Sequence, residues 1–146
     1  MILSPPYLKD IFDINSREKI LNNAVEIFKT LEIETPTGVV GCGLSGTLFA
    51  TLFAQKINSS PVIVRKKEEK RHSSNSVEGL HVRKHNVLLL VDDLICSGNT
   101  MNFIMNEIKD FTSKNEISFH FLKHGILYFG TAHRDFNGVN FLSCAL

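Results

Sequence analysis

Val87-Leu88-Leu89-Leu90-Val91-Asp92-Asp93-Leu94-Ile95-Cys96-Ser97-Gly98-Asn99-Thr100 begins with the most apolar run of the chain, which two aspartates stop and a loop of small residues follows. Five apolar residues without alternation predict a strand covered on both faces, as in the middle of a parallel sheet. From Thr100 onward, Met101, Ile104, Met105, Ile108 and Phe111 recur at helical spacing. The unit reads strand, loop, helix. A loop of small residues entering a helix offers backbone N–H groups, hydroxyls and the positive end of the helix dipole, which together bind phosphate. Ser97 and Thr100 supply hydroxyls, and Gly98 lets the backbone approach closely. Two carboxylates just upstream suit a polyol such as ribose, whose hydroxyls donate to them, and can help hold a magnesium ion. The stretch describes a site for a sugar phosphate.

Working outward, Val39-Val40 runs into Gly41-Cys42-Gly43-Leu44-Ser45-Gly46 and an apolar stretch to about Gln55, a second strand, glycine loop and helix. Pro61-Val62-Ile63-Val64 predicts another buried strand, and 117–122 and 126–129 two more. Asn15 and Glu18 have capping-box spacing ahead of Ile20, Leu21, Ala24, Val25, Phe28 and Leu31, so a first helix is expected over 16–31. Residues 65–86 carry too little apolar content to pack, and a segment of that length without structure is expected to be a lid. The tail, 131–146, is expected to be irregular. Strands alternating with helices predict an α/β fold, a doubly wound and mostly parallel sheet with helices on both faces. Ligands then bind beyond the carboxyl ends of the strands.

Residues 88–100 resemble the 5-phosphoribosyl 1-pyrophosphate (PRPP) motif of type I phosphoribosyltransferases: a hydrophobic strand, two acids, two apolar residues and a small-residue phosphate loop. Cys96 departs from the Thr, Ser or Ala usual there. The resemblance implies that Cys96, Ser97, Gly98, Asn99 and Thr100 cradle the 5-phosphate. Asp92 and Asp93 would hold the ribose hydroxyls, with Mg2+ bound by them directly or through ribose hydroxyls or water. Gly41, Gly46 and Ala50 resemble the pyrophosphate loop of orotate phosphoribosyltransferases, which implies that Cys42, Gly43 and Leu44 face pyrophosphate. Arg65-Lys66 followed by Lys70-Arg71-His72 and Val77-Glu78-Gly79 resembles that family's flexible loop, with Lys67 extra and Ser73 in place of Gly. On that likeness Arg65 and Lys66 bind substrate, and Lys70 and His72 reach the leaving pyrophosphate in a neighbouring subunit, implying a homodimer.

The implied reaction transfers the 5-phosphoribosyl group from PRPP to a nitrogenous base, orotate being favoured and a purine base open. The alternatives are a catalytically silent regulator of the same fold that binds PRPP or a nucleotide, and a generic flavodoxin-like nucleotide-binding protein. The hood that covers the base in this family is expected to be reduced, since only about 37 residues precede the first glycine loop. Tyr128, Phe129, His133, Arg134 and Phe136 form a substitute or serve as strand packing and tail.

Composition bounds the rest. The 146 residues, 43% hydrophobic and 21% charged, predict one domain over 1–146, its core over about 16–130 and a tail or hood segment over 131–146. A net charge of +1 gives no global field toward nucleic acid or membranes. The local exception is 65–71, with five cations against two carboxylates, suited to close over a polyanion. Cys42, Cys96 and Cys144 are an odd number without metal-ligand spacing and are expected as reduced thiols. With no apolar run of spanning length and no signal-peptide pattern at the start, a cytoplasmic location is expected. Metal binding by His81, His85, His120, His124 or His133 is not expected.

Overall fold

The computed structural model describes residues 3–66 and 74–146. The apolar run Val87–Val91 lies within β4, Asn86–Asp92, buried along its whole length. Its alternate side chains serve two cores. Val87, Leu89 and Val91 join one with Val39, while Leu88 and Leu90 join another with Val40, Val62 and Val64. β1 (Gly38–Cys42) lies parallel between β4 and β2 (Ser60–Val64).

On the first face pack α1 (Pro6–Phe12), α2 (Ile14–Thr30) and α3 (Gly43–Lys56), through Ile11, Ile20, Leu21, Ala24, Phe49 and Phe53. On the other lies α4 (Asn99–Lys114), through Met101, Ile104, Met105 and Ile108. Helices therefore cover both faces of a mostly parallel sheet. Beyond β4, β5 (Phe119–Phe121) pairs with its first half and β6 (His124–Leu127) with its end.

Three local expectations need correction, and one further helix is present. The cap of α2 is Asp13, whose carboxylate accepts the Ser16 N–H at 2.9 Å and is held below its ordinary pKa by that bond. Asn15 is already inside the helix. Pro5-Pro6 starts the separate helix α1, proline being compatible with a helix's first turn. The expected lid contains β3 (Val77–Glu78), antiparallel to β2, with Val77 fully buried. The tail is ordered: β7 (Arg134–Phe136) and β8 (Val139–Ser143) form a hairpin, and β8 runs parallel to β6. Asn137-Gly138, both at positive φ, makes its two-residue turn and was the available signal.

The sheet order is β3-β2-β1-β4-β6-β8-β7, with β5 also on β4. The chain leaves β1 in one direction to β2 and then crosses back to β4. Their carboxyl ends mark the switch point of the sheet, where loops diverge and leave a crevice. Among the described residues no helix is long and apolar enough to cross a membrane.

Candidate active site at the switch point

Asp92 ends β4 and is only 7% exposed. One of its carboxylate oxygens accepts the Asp93 N–H at 2.8 Å, and Asp93 accepts the Leu94 N–H at 2.6 Å. Burial, reinforced by the neighbouring Asp93 charge, pushes Asp92 up to about 8. Lys66 pulls the other way. An acid held this far up ionises readily only when hydroxyl donors or a cation complete its surroundings. Two adjacent carboxylates offer that demand to a polyol or to magnesium.

The loop that follows lines a pocket of about 400 Å³, bounded by Asp92 through Met101, Pro6 of α1 and Phe129. Gly98 caps α4 in the left-handed conformation, φ 83°. Glycine is required there twice over, because a Cβ would also collide with the Phe136 ring. Around it Cys96, Ser97, Asn99 and Thr100 are exposed at the start of α4. The Ser97 hydroxyl accepts the Asn99 N–H at 3.3 Å.

Across the crevice α3 starts directly from β1, with Cys42 as its cap residue, whose side chain makes no capping hydrogen bond. Leu44 is 68% exposed in that first turn. Gly41 and Gly46 are explained by contact between strand and helix: a Cβ on Gly41 would strike the Gly46 carbonyl and sit 2.8 Å from the Ala50 Cβ. Gly43, at φ 75°, has the Lys66 ammonium beside it, 3.3 Å from where a Cβ would lie. The structure thus brings Cys42, Gly43, Leu44 and Lys66 to the same edge as Asp92. Arg65 is turned instead to Glu78 on β3, 3.4 Å away. Lys70 and His72 lie outside the described residues.

Tyr128 joins the two halves. Its N–H donates to the Asp92 carbonyl at 3.0 Å, and its hydroxyl is hydrogen-bonded to that of Ser45, in the first turn of α3, at 3.0 Å. Burial raises the phenol's pKa, so it stays a neutral partner. Its ring stacks on Phe49 at 4.5 Å. Nothing in the sequence pattern marked this link. Of the suggested substitute hood, Phe129 alone lines the pocket, while Tyr128 is core, His133 accepts the Ser143 N–H at 3.0 Å, and Arg134 and Phe136 pack on the loop.

A family model described as the phosphoribosyl transferase domain matches residues 9–128. The chain belongs to that family. Phosphoribosyltransferases are glycosyltransferases, enzymes of nucleotide metabolism. No curated protein sequence matches the chain. Among solved structures, it is similar to orotate phosphoribosyltransferase from Aeropyrum pernix, with TM-score 0.62, 18% identity, and coverage of 91% of this chain and 72% of that one. It is similar to adenine phosphoribosyltransferase from Saccharomyces cerevisiae, with TM-score 0.58, 15% identity, and 84% and 72% covered. Leishmania donovani UMP synthase matches with TM-score 0.57 and 14% identity over 86% of this chain, which spans 26% of that one. At these identities the likeness is one of fold.

Proposed function

We propose that this phosphoribosyltransferase-family chain is an active enzyme that moves the 5-phosphoribosyl group of PRPP to a nitrogenous base with release of pyrophosphate. The observation that carries the reading is the convergence, at one switch point, of the Asp92-Asp93 pair, the small-residue start of α4, and the start of α3 with Lys66 beside it. In this reading residues 96–100 hold the 5-phosphate through N–H groups and hydroxyls. Asp92 and Asp93 hold the ribose hydroxyls and orient C1, and the first turn of α3 with Lys66 faces the pyrophosphate. Lys70 and His72 act on the leaving group in the proposal, on sequence resemblance alone.

Magnesium fits this donor set. Among the described residues no three His, Cys, Asp or Glu are grouped to hold a metal, so an ion at Asp92 and Asp93 takes its other oxygens from substrate and water, as magnesium commonly does. When bound it supplies charge neutralisation to the departing pyrophosphate.

For the acceptor, the loop resemblance favours orotate, with a purine base as the other candidate. Pro6 and Phe129 give the pocket apolar surface suited to a flat ring of either kind. The test is incubation with PRPP, Mg2+ and a panel containing orotate, adenine, hypoxanthine and uracil, reading pyrophosphate release. Release with any base supports the enzyme and identifies the acceptor. PRPP binding without release for every base supports the silent regulator. The flexible-loop likeness also proposes a homodimer, checked by sedimentation.

A further inference from the structure

We propose that the C-terminal hairpin β7–β8 is the positioning element of the phosphate loop, with Arg134 and Phe136 as its positioning residues. The inference rests on the reading of residues 96–100 as a phosphate cradle. The family match ends at residue 128, so the hairpin lies wholly beyond it. Yet three of its side chains reach the loop and the helix it opens. Arg134 Nη1 donates to the Ile95 carbonyl at 3.1 Å. The Phe136 ring occupies the space over Gly98 that a Cβ would need. Asn137 Nδ2 donates to Asn102 Oδ1 at 2.9 Å. The hairpin thus grips the start of the loop, its left-handed turn and the first turn of α4.

A cradle made of backbone N–H groups works only when those groups converge on one point, and residues as small as Ser97 and Gly98 bring little packing of their own to hold them there. Gly98 is buried while Cys96, Ser97, Asn99 and Thr100 around it are exposed, so the ring of Phe136 serves as the loop's apolar anchor. Arg134 acts through peptide planarity. In a trans peptide the N–H of Cys96 points opposite to the carbonyl of Ile95, so fixing one aims the other.

The hairpin is stiff enough for this task. β8 pairs with β6 over four residues, and Val139 and Phe141 are buried in the core on the α4 side. Ser143 Oγ donates to the Gly130 carbonyl, and the Asn137-Gly138 turn, φ 48° and 83°, is the short form that matches strand twist. The hairpin, within a segment expected to be irregular, is thereby a fixed wall behind the loop.

The test separates positioning from general support. Arg134→Ala and Phe136→Ala are compared with Phe136→Tyr, which keeps the ring, after circular dichroism shows each variant folded. Calorimetry then reads ribose 5-phosphate and, separately, magnesium pyrophosphate. The expected result is about tenfold weaker ribose 5-phosphate binding in both alanine variants, pyrophosphate affinity within about twofold of the starting protein, and recovery in Phe136→Tyr. Unchanged ribose 5-phosphate binding, or equal weakening of both ligands, overturns the positioning role. If the unsubstituted protein binds pyrophosphate but no ribose 5-phosphate, the phosphate reading of the loop falls and this inference with it.

Discussion

The two edges of the sheet both gather polar side chains, and they use them in opposite ways. At the amino edge the groups satisfy each other. Asn86, fully buried at the start of β4, donates to the carbonyls of His81, Lys84 and Ser118 and accepts the His81 N–H. Beside it Ser118, His85, His120 and Glu34 form a continuous hydrogen-bonded chain. His85 Nε2 lies 2.7 Å from His120 Nδ1, and His120 Nε2 lies 2.7 Å from Glu34. At the carboxyl edge Asp92 and Asp93 take one backbone N–H each and otherwise line an open pocket. Closed polar sets hold a fold together, and open ones are completed by a ligand.

The largest test of that contrast removes the open pair. Asp92→Asn with Asp93→Asn is expected to lower pyrophosphate release by about 10³-fold or more while leaving the circular dichroism spectrum unchanged. Turnover within about tenfold of the unsubstituted protein would sink the site assignment. The matching test at the other edge is Asn86→Leu, which orphans the buried groups that Asn86 satisfies. It should lower unfolding stability by about 3 kcal/mol in denaturant titrations, with turnover of the remaining folded protein unchanged. Lost turnover in a folded Asn86 variant would break the division between the edges.

Acidity sharpens the same contrast. Asp92 rises from an ordinary 3.8 to about 8 on folding. Between those values the folded chain keeps a proton that the unfolded chain has lost, so this residue's contribution makes stability fall as pH rises through the window. Asp92→Asn abolishes that fall. The variant should melt a few degrees above the unsubstituted, ligand-free protein at pH 9 and match it near pH 4. An equal gap at both pH values would show that the aspartate is not held protonated.

The smallest expected effect concerns the strut between the halves of the site. Ser45→Ala and Tyr128→Phe should each cost about 1 kcal/mol, and the double variant less than the two added together. Simple additivity in that cycle would mean that the hydroxyl pair does not act as a unit.

The legible parts of this protein were those whose physics is local. The apolar run of β4, the glycine before α4, and the Gly41, Gly46 and Ala50 spacing each state a burial or a backbone requirement within a few residues. Helix α1 was missed because seven residues carry too little periodicity, and β7–β8 because its short strands are half polar, although Asn137-Gly138 marked the turn. The glycines before α3 carried a mixed message. Gly41 is demanded by packing against the helix, while Gly43 is the one that takes the turn beside Lys66.

The sequence by itself determined the alternating architecture and the resemblance that the family match bears out, and it singled out residues 92–100 as the proposed sugar-phosphate site. Those follow from side-chain chemistry at neighbouring positions. Only the tertiary structure decided which distant segments complete the site: Pro6 and Phe129 as walls, Tyr128 tied to Ser45, and Arg134 and Phe136 behind the loop. The Tyr128–Ser45, Arg134–Ile95 and Phe136–Gly98 contacts join residues 83, 39 and 38 positions apart, and no local pattern encodes them, because they exist only once the sheet order has brought the strand ends together.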